Sequence, residues 1–196
     1  VNAAPPWLGR PLAHALDLLA AIPSVVYGMW GLFVLCPLLQ TALAAVGGET
    51  TGFGLLAAAL VLALMVLPYV SAVMRDALAQ TPPALLESAA GVGCTRWEAM
   101  WHVVVRAQKR AFVGGILIGL GRALGETMAV LFVCGGVAAL PTSLFDGCTT
   151  IAATLANDFA EASGLHKSAL FALGGTLLAV ECVIQIAAQR LLRERR

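Results

Sequence analysis

Charge is scarce in this sequence. Lys, Arg, Asp and Glu make up 12% of its 196 residues, while 60% are hydrophobic and the mean hydropathy is +0.88. A soluble domain carries about a quarter charged residues, so the composition excludes one and defines an integral membrane protein. Catalytic and metal motifs are missing too. There is no GxxxxGK[ST] loop to cradle nucleotide phosphates, no HExxH and no CxxC, which removes ATP binding by this chain and the usual zinc arrangements. The three His residues, His14, His102 and His166, are far apart, and no Ser/His/Asp constellation forms in the sequence. The expectation is no catalytic residue, no metal and no bound cofactor. Nothing in the sequence suggests a nucleic-acid partner. The chain begins at Val1 rather than Met, and VNAAPPWLGR has neither a charged n-region nor an apolar h-region. It is therefore expected to lack an upstream part.

Of the five Cys, Cys36, Cys134 and Cys182 fall in apolar runs and read as packing residues. A Cys134–Cys148 disulfide on the outer side is the alternative for that pair.

What is present is long apolar runs. Residues 22–39, 53–74, 112–134 and 168–188 predict four transmembrane helices in a single domain over 1–196. Before them, PPWLGRPLAHALDLLA predicts a short helix with Pro11 in its first turn and His14 and Asp17 as a surface polar pair. In the first span, Ser24, Gly28 and Gly31 form a small-residue stripe suited to close helix contact, with Tyr27 and Trp30 read as packing residues. Pro68 is expected to kink the second span. Residues 40–52 and 135–167 are connections, the latter holding an amphipathic helix with Ile151, Leu155 and Phe159 on one face.

Ten of the twelve Lys and Arg fall on one side of this layout: Arg10; Arg75, Arg96, Arg106, Lys109 and Arg110; Arg190, Arg193, Arg195 and Arg196. Lys167 is on the other side and Arg122 is within a span. This asymmetry predicts both ends and residues 75–111 in the cytoplasm, with 40–52 and 135–167 outside.

The polar stretch 75–111 has its own architecture. Thr81-Pro82 predicts a helix start, Gly91 and Gly93 a stop and a turn, and Thr95-Arg96-Trp97-Glu98 a capping box that opens a second helix. The third span is the unusual one. Arg122 and Glu126 stand near the middle of GGILIGLGRALGETMAVLFVCGG, where one Arg costs about 2.5–3.5 kcal/mol on insertion scales. On a continuous helix Gly115, Gly119, Arg122 and Glu126 share one stripe, beside a second stripe of Gly114, Gly121 and Gly125. The charges would then face protein or a pathway. An Arg fork fits phosphate oxygens, with Glu126 as counter-charge and Thr127 as a further hydroxyl. A structural salt bridge between Arg122 and Glu126 is the competing reading. Glu181, in the fourth span, is left without a role.

Residues 87–106, ESAAGVGCTRWEAMWHVVVR, resemble the coupling motif of binding-protein-dependent ABC importer permeases. Glu87, Ser88, Ala89, Gly91 and Gly93 match its first part; Val103 and Val105 stand at its later apolar positions, and Arg106 replaces its proline. IPSVVYGMWGLFVL, LPYVSAVMRDAL, GLGRALGETMAV and LANDFAEASGLH, in that order, are similar to phosphate-importer permeases of the same family. The resemblance implies a MetI-like all-α helical bundle of which the first two of about six spans are absent here. It implies the bacterial inner membrane, a second permease subunit, a cytoplasmic ATPase dimer holding ATP and Mg, and a periplasmic phosphate-binding protein. It also implies pathway roles for Arg122 and Glu126 and ATPase coupling for residues 87–93. Permeation of another oxyanion such as sulfate or molybdate is the alternative; an ion-coupled carrier or an intramembrane enzyme stands further off, since neither needs a coupling loop.

Overall fold

The computed structural model describes residues 6–45 and 51–193. Among them it contains helices and no strand beyond one isolated bridge, Gly135 with Cys148. In chain order the helices are α1 Pro6–Ala21, α2 Ser24–Ala44, α3 Leu55–Ala79, α4 Pro83–Gly91, α5 over 96–107, α6 Lys109–Leu124, α7 Met128–Val133, α8 Ile151–Asp158 and α9 Gly164–Arg193. Two of them carry wide π-helical turns, Gly31–Leu35 in α2 and Ala99–Val104 in α5. Among the described residues, three helices are long and apolar enough to cross a membrane: α2, α3 and α9 through Ala187.

The remaining expected span, 112–134, is not one helix. α6 ends at Leu124, residues 125–127 are irregular, and α7 restarts at Met128. The predicted stripe that ran through Gly115, Gly119, Arg122 and Glu126 therefore stops at Arg122. Gly125 is a weak helix former, and the carboxylate that follows it binds a free N–H of the next helix, which favours the break.

Smaller offsets also have local causes. α1 begins at Pro6, so Pro11 lies inside the helix rather than in its first turn. α4 starts one residue later than expected: Pro82 is its extended N-cap and Pro83 its first helical residue. Asp17 pairs with Arg75 at 2.9 Å. Pro68 is buried within α3. Residues 46–50, with the expected Gly47-Gly48 turn and Glu49, and the last three residues of the basic tail lie outside the described residues.

The described residues group into two compact units. One holds the chain up to Ala21, Leu67–Leu120 and the chain from Ala187; the other holds Ile22–Val66 and Gly121–Ile186. In the first, Gly115 of α6 lies against α3, where a Cβ would meet Val73 Cγ1 at 3.3 Å, and Tyr69 donates to the Ala20 carbonyl at 2.9 Å.

The second unit contains an apolar core of α2, α3 and α7, built on Tyr27, Cys36, Val61, Met65, Val130 and Val133. Tyr27 is buried, as a packing residue should be, whereas Trp30 is exposed. The glycine stripe of α2 sets how closely α7 approaches. A Cβ on Gly28 would lie 2.9 Å from Ala129 Cα, and one on Gly31 would lie 2.6 Å from Val133 Cγ1. Only a hydrogen fits at these positions, and that lets the two helices touch backbone to backbone. In α8 the Thr150 hydroxyl caps the helix by accepting from Ala153 N–H at 3.2 Å. Its deeply buried residues are Ala152 and Ala153. Phe159, the third member of the expected stripe, instead meets Phe171 of α9 edge-on at 5.6 Å.

Candidate functional site

The candidate site residues fall into two constellations. The first is the interrupted helix. Arg122 sits in the last turn of α6, the negative end of the helix dipole, where a cation is favoured. It is half-buried, with its Nε shut off from solvent. α6 closes through Gly125 N–H to the Gly121 carbonyl at 3.2 Å and Glu126 N–H to the Ala123 carbonyl at 3.3 Å. The chain then turns, and Glu126 is buried, 7% exposed. Its Oε1 accepts from Ala129 N–H at 3.1 Å. Ala129 is the second residue of α7, so its N–H has no partner within that helix. Thr127 is the N-cap by position but its side chain makes no capping hydrogen bond; Glu126 does that work instead. The expected Thr127 hydroxyl is partly buried beside the break.

α9 adds Glu181, to which the sequence pattern assigns no role, and Gln185. A Cβ on Gly121 would lie 3.7 Å from Gln185 Nε2 and 3.9 Å from Glu181 Oε1. Glu181 and Gln185 are four residues apart, hence on one helix face, and that i, i+4 polar pair within the largely apolar stretch 169–187 was the signal available. The unit thus collects a guanidinium, two carboxylates and an amide around the break between α6 and α7. Irregular backbone at membrane depth is tolerated where protein buries it or it lines a water-filled cavity. Chemically this set suits transient handling of an anion: the guanidinium supplies charge and a fork of donors, and the carboxylates limit retention.

The second constellation is the 81–107 segment. α4 ends in a Schellman motif: Cys94 N–H donates to the Ala89 carbonyl and Gly93 N–H to the Ala90 carbonyl, each at 3.0 Å. Gly93 occupies the left-handed position that this requires, with φ +87°. The expected capping box forms. Thr95 N–H donates to Glu98 Oε2 at 2.8 Å, and Glu98 N–H donates to Thr95 Oγ1 at 3.3 Å. The Thr95 N–H and hydroxyl, each donating to Glu98 Oε2 at 2.8 Å, hold the exposed Glu98 carboxyl below the usual carboxylate range. Glu87, Ser88, Gly91 and Gly93 are exposed, and Ala89, on α4 itself, is buried, 6% exposed. Val92, Trp97 and Trp101 project into the open, so the turn presents a small apolar knob. Where the resemblance expects proline and this chain has Arg106, α5 continues to residue 107 and gives way at Gln108, whose Nε2 reaches Thr81 Oγ1 at 3.4 Å.

A multi-pass helical membrane protein with a broken, charge-bearing helix and a capped helix–turn–helix is the class these features define. Residues 2–196 match the family described as binding-protein-dependent transport system inner membrane component. The chain belongs to that family. It is 49% identical over 204 residues to the phosphate transport system permease protein PstC of Pasteurella multocida, covering 96% of this chain and 63% of that protein. It is 45% identical to the PstC of Haemophilus influenzae, covering 95% and 64%. Identity to PstC 2 of Mycobacterium tuberculosis is 38%, covering 87% and 59%. The chain thus spans less than two thirds of the length of these relatives. Among solved structures, an inward-facing conformation of the MetNI methionine ABC transporter superposes with a TM-score of 0.71 at 19% identity, covering 95% of this chain and 75% of that one. The expected MetI-like permease fold is therefore the observed one.

Proposed function

We propose that this chain forms part of the translocation pathway of an ATP-driven phosphate importer, as the permease subunit of PstC type. The observation that carries this is the break at 125–127, which sets Arg122 at the end of one membrane helix and buries Glu126 at the start of the next. Discontinuous helices near the bilayer midplane are where transporters bind polar substrates. The names of the relatives supply the substrate: a phosphate oxyanion is what a guanidinium fork fits. Arg122 attracts the anion, the Glu126 carboxylate, held at the start of α7, repels it so that release stays fast, and Thr127 offers a hydroxyl.

The segment 83–107 docks on a cytoplasmic ATPase dimer, with Glu87, Ser88, Ala89, Gly91 and Gly93 forming the rigid turn that receives its movement. A rigid knob seated in a partner groove transmits displacement without absorbing it. ATP and Mg stay on that partner. A second permease completes the pathway, and a periplasmic phosphate-binding protein delivers substrate to the outer loops. The excess of Lys and Arg on one side supports cytoplasmic placement of 75–111 and of both chain ends in the inner membrane.

The test is uptake of labelled phosphate by vesicles holding the full chain with its partner subunits. Uptake that excess sulfate and molybdate leave intact is expected. Uptake of sulfate or molybdate in place of phosphate would move the assignment to that oxyanion, and uptake without ATP would remove the ATPase coupling.

A further inference from the structure

Cys134 and Cys148 are 14 residues apart and both buried, at 2% and 6% exposed. Their Sγ atoms lie 2.9 Å apart, closer than two unbonded sulfurs pack side by side. The backbone already brings them together: Cys148 N–H donates to the Cys134 carbonyl at 2.8 Å, and Gly135 and Cys148 form an isolated bridge. Gly135 permits this approach, since a Cβ there would lie 3.1 Å from Gly147 Cα. The pair is therefore held by backbone geometry rather than by chance side-chain rotamers. Cys36, by contrast, belongs to the same core but has no thiol partner among the described residues.

We propose that Cys134 and Cys148 form a disulfide that fixes the C-terminal end of α7. The reaction is thiol–disulfide exchange with a disulfide-bearing oxidant. One cysteine thiolate attacks the donor disulfide and releases one donor thiolate. The second cysteine thiolate then displaces the other donor sulfur. The Cys134–Cys148 bond forms, the donor bond breaks, and the two thiol protons go to the two released donor thiolates. Burial of both sulfurs in the folded protein places this step before the loop closes over them, and it shields the finished bond from reductants. The inference rests on the proposed orientation, because such bonds persist only on the oxidising side of the membrane. Its consequence is specific to the site. α7 is six residues long; Glu126 holds its first turn through Ala129 N–H, and the disulfide holds its C-cap, Cys134. The half-helix next to the pathway would then be clamped at both ends.

The experiment acid-quenches cells producing the full-length complex, alkylates free thiols in denaturant, reduces, alkylates with a second reagent, and maps both labels by mass spectrometry. Expected is the second label on Cys134 and Cys148 and the first label on Cys36, Cys94 and Cys182. First-reagent labelling of Cys134 and Cys148 at the level of Cys36 overturns the proposal. In parallel, a Cys-free chain carrying Leu140→Cys or Val92→Cys, both positions highly exposed, is probed with a membrane-impermeant maleimide. Labelling of the Leu140 position alone from outside supports the orientation, so that reduced thiols then count against the pairing only. Labelling of the Val92 position alone overturns the orientation, and the pairing falls with it if the thiols are reduced. As a second readout, reduction is expected to lower the melting temperature of the wild-type complex by several degrees and to leave that of Cys134→Ala/Cys148→Ala unmoved.

Discussion

Glu126 Oε1 accepts the N–H of Ala129 at 3.1 Å, and with that bond the carboxylate belongs to the start of α7 rather than to the turn above Arg122. Two effects favour the arrangement. A buried carboxylate needs donors, and a helix start supplies them together with a favourable dipole end. A group that caps a helix is held in place, whereas a carboxylate free to swing toward the guanidinium would bind it permanently.

Replacing Glu126 separates its two roles. Glu126→Ala leaves the Ala129 N–H without its cap and is expected to cost about 0.5–2 kcal/mol, seen as a lower melting temperature of the purified complex. Glu126→Gln keeps an acceptor oxygen and is expected to retain most of the stability while changing phosphate uptake. Equal destabilisation by both would show that charge, not capping, holds α7.

The α2–α7 contact makes a contrast among glycines. Gly28→Ala would force a Cβ to within 2.9 Å of Ala129 Cα, backbone that cannot rotate away, and is expected to cost about 1–3 kcal/mol. Gly114→Ala meets nothing within 4 Å and lies in a helix, so it is expected to be neutral or to stabilise by up to about 1 kcal/mol. Melting temperatures of the two variants check this; the reverse order would refute the packing described.

Gly93 and Gly91 form the corresponding pair in the 81–107 segment. Both have open space around a Cβ, but only Gly93 has positive φ. Gly93→Ala is expected to strain the turn by about 1–2 kcal/mol and to weaken co-purification of the ATPase subunit, whereas Gly91→Ala leaves co-purification intact. Matching behaviour of the two variants would mean the Schellman geometry is not what the partner reads.

The capping box predicts a pH response. Glu98 is held below the ordinary carboxylate range by Thr95, so its contribution is complete above the unfolded carboxylate value and is lost as pH falls through the lower, folded value. Hydrogen-exchange protection of amides 96–99, corrected for intrinsic rates, should be flat near neutrality and drop once pH passes below the usual carboxylate range. Glu98→Gln should show no such step. Because the group is exposed, the effect is local and leaves global stability unmoved.

Much of this was legible from residue order. Thr95 and Glu98 have the spacing that only a capping box explains, and Gly28 and Gly31 recur at helical spacing, so both features follow from local rules. The break after Leu124 was harder to see. GLGRALGETMAVLFV keeps apolar residues at helical spacing on both sides of the break, and periodicity alone does not register an interruption of the backbone between them. The available hint was Gly-Glu-Thr directly before MAVLFV, a turn former followed by a carboxylate and a hydroxyl, both able to accept a hydrogen bond at a helix start. The Pro pairs misled by a residue or more: Thr81 looked like a cap, but Pro83 starts α4 and leaves Thr81 to Gln108. The meeting of Glu181 and Gln185 with Gly121, and of Cys134 with Cys148, depends on tertiary approach that local periodicity does not encode.

The most direct test replaces Arg122 in the full-length complex. Arg122→Gln and Arg122→Lys are purified with the partner subunits to measure assembly, and labelled phosphate uptake is measured in vesicles. If Arg122 handles the anion, both variants assemble, Gln abolishes uptake, and Lys, which keeps the charge but loses the fork, restores at most a small part. Wild-type uptake by the Gln variant would contradict the account and leave Arg122 as a packing charge.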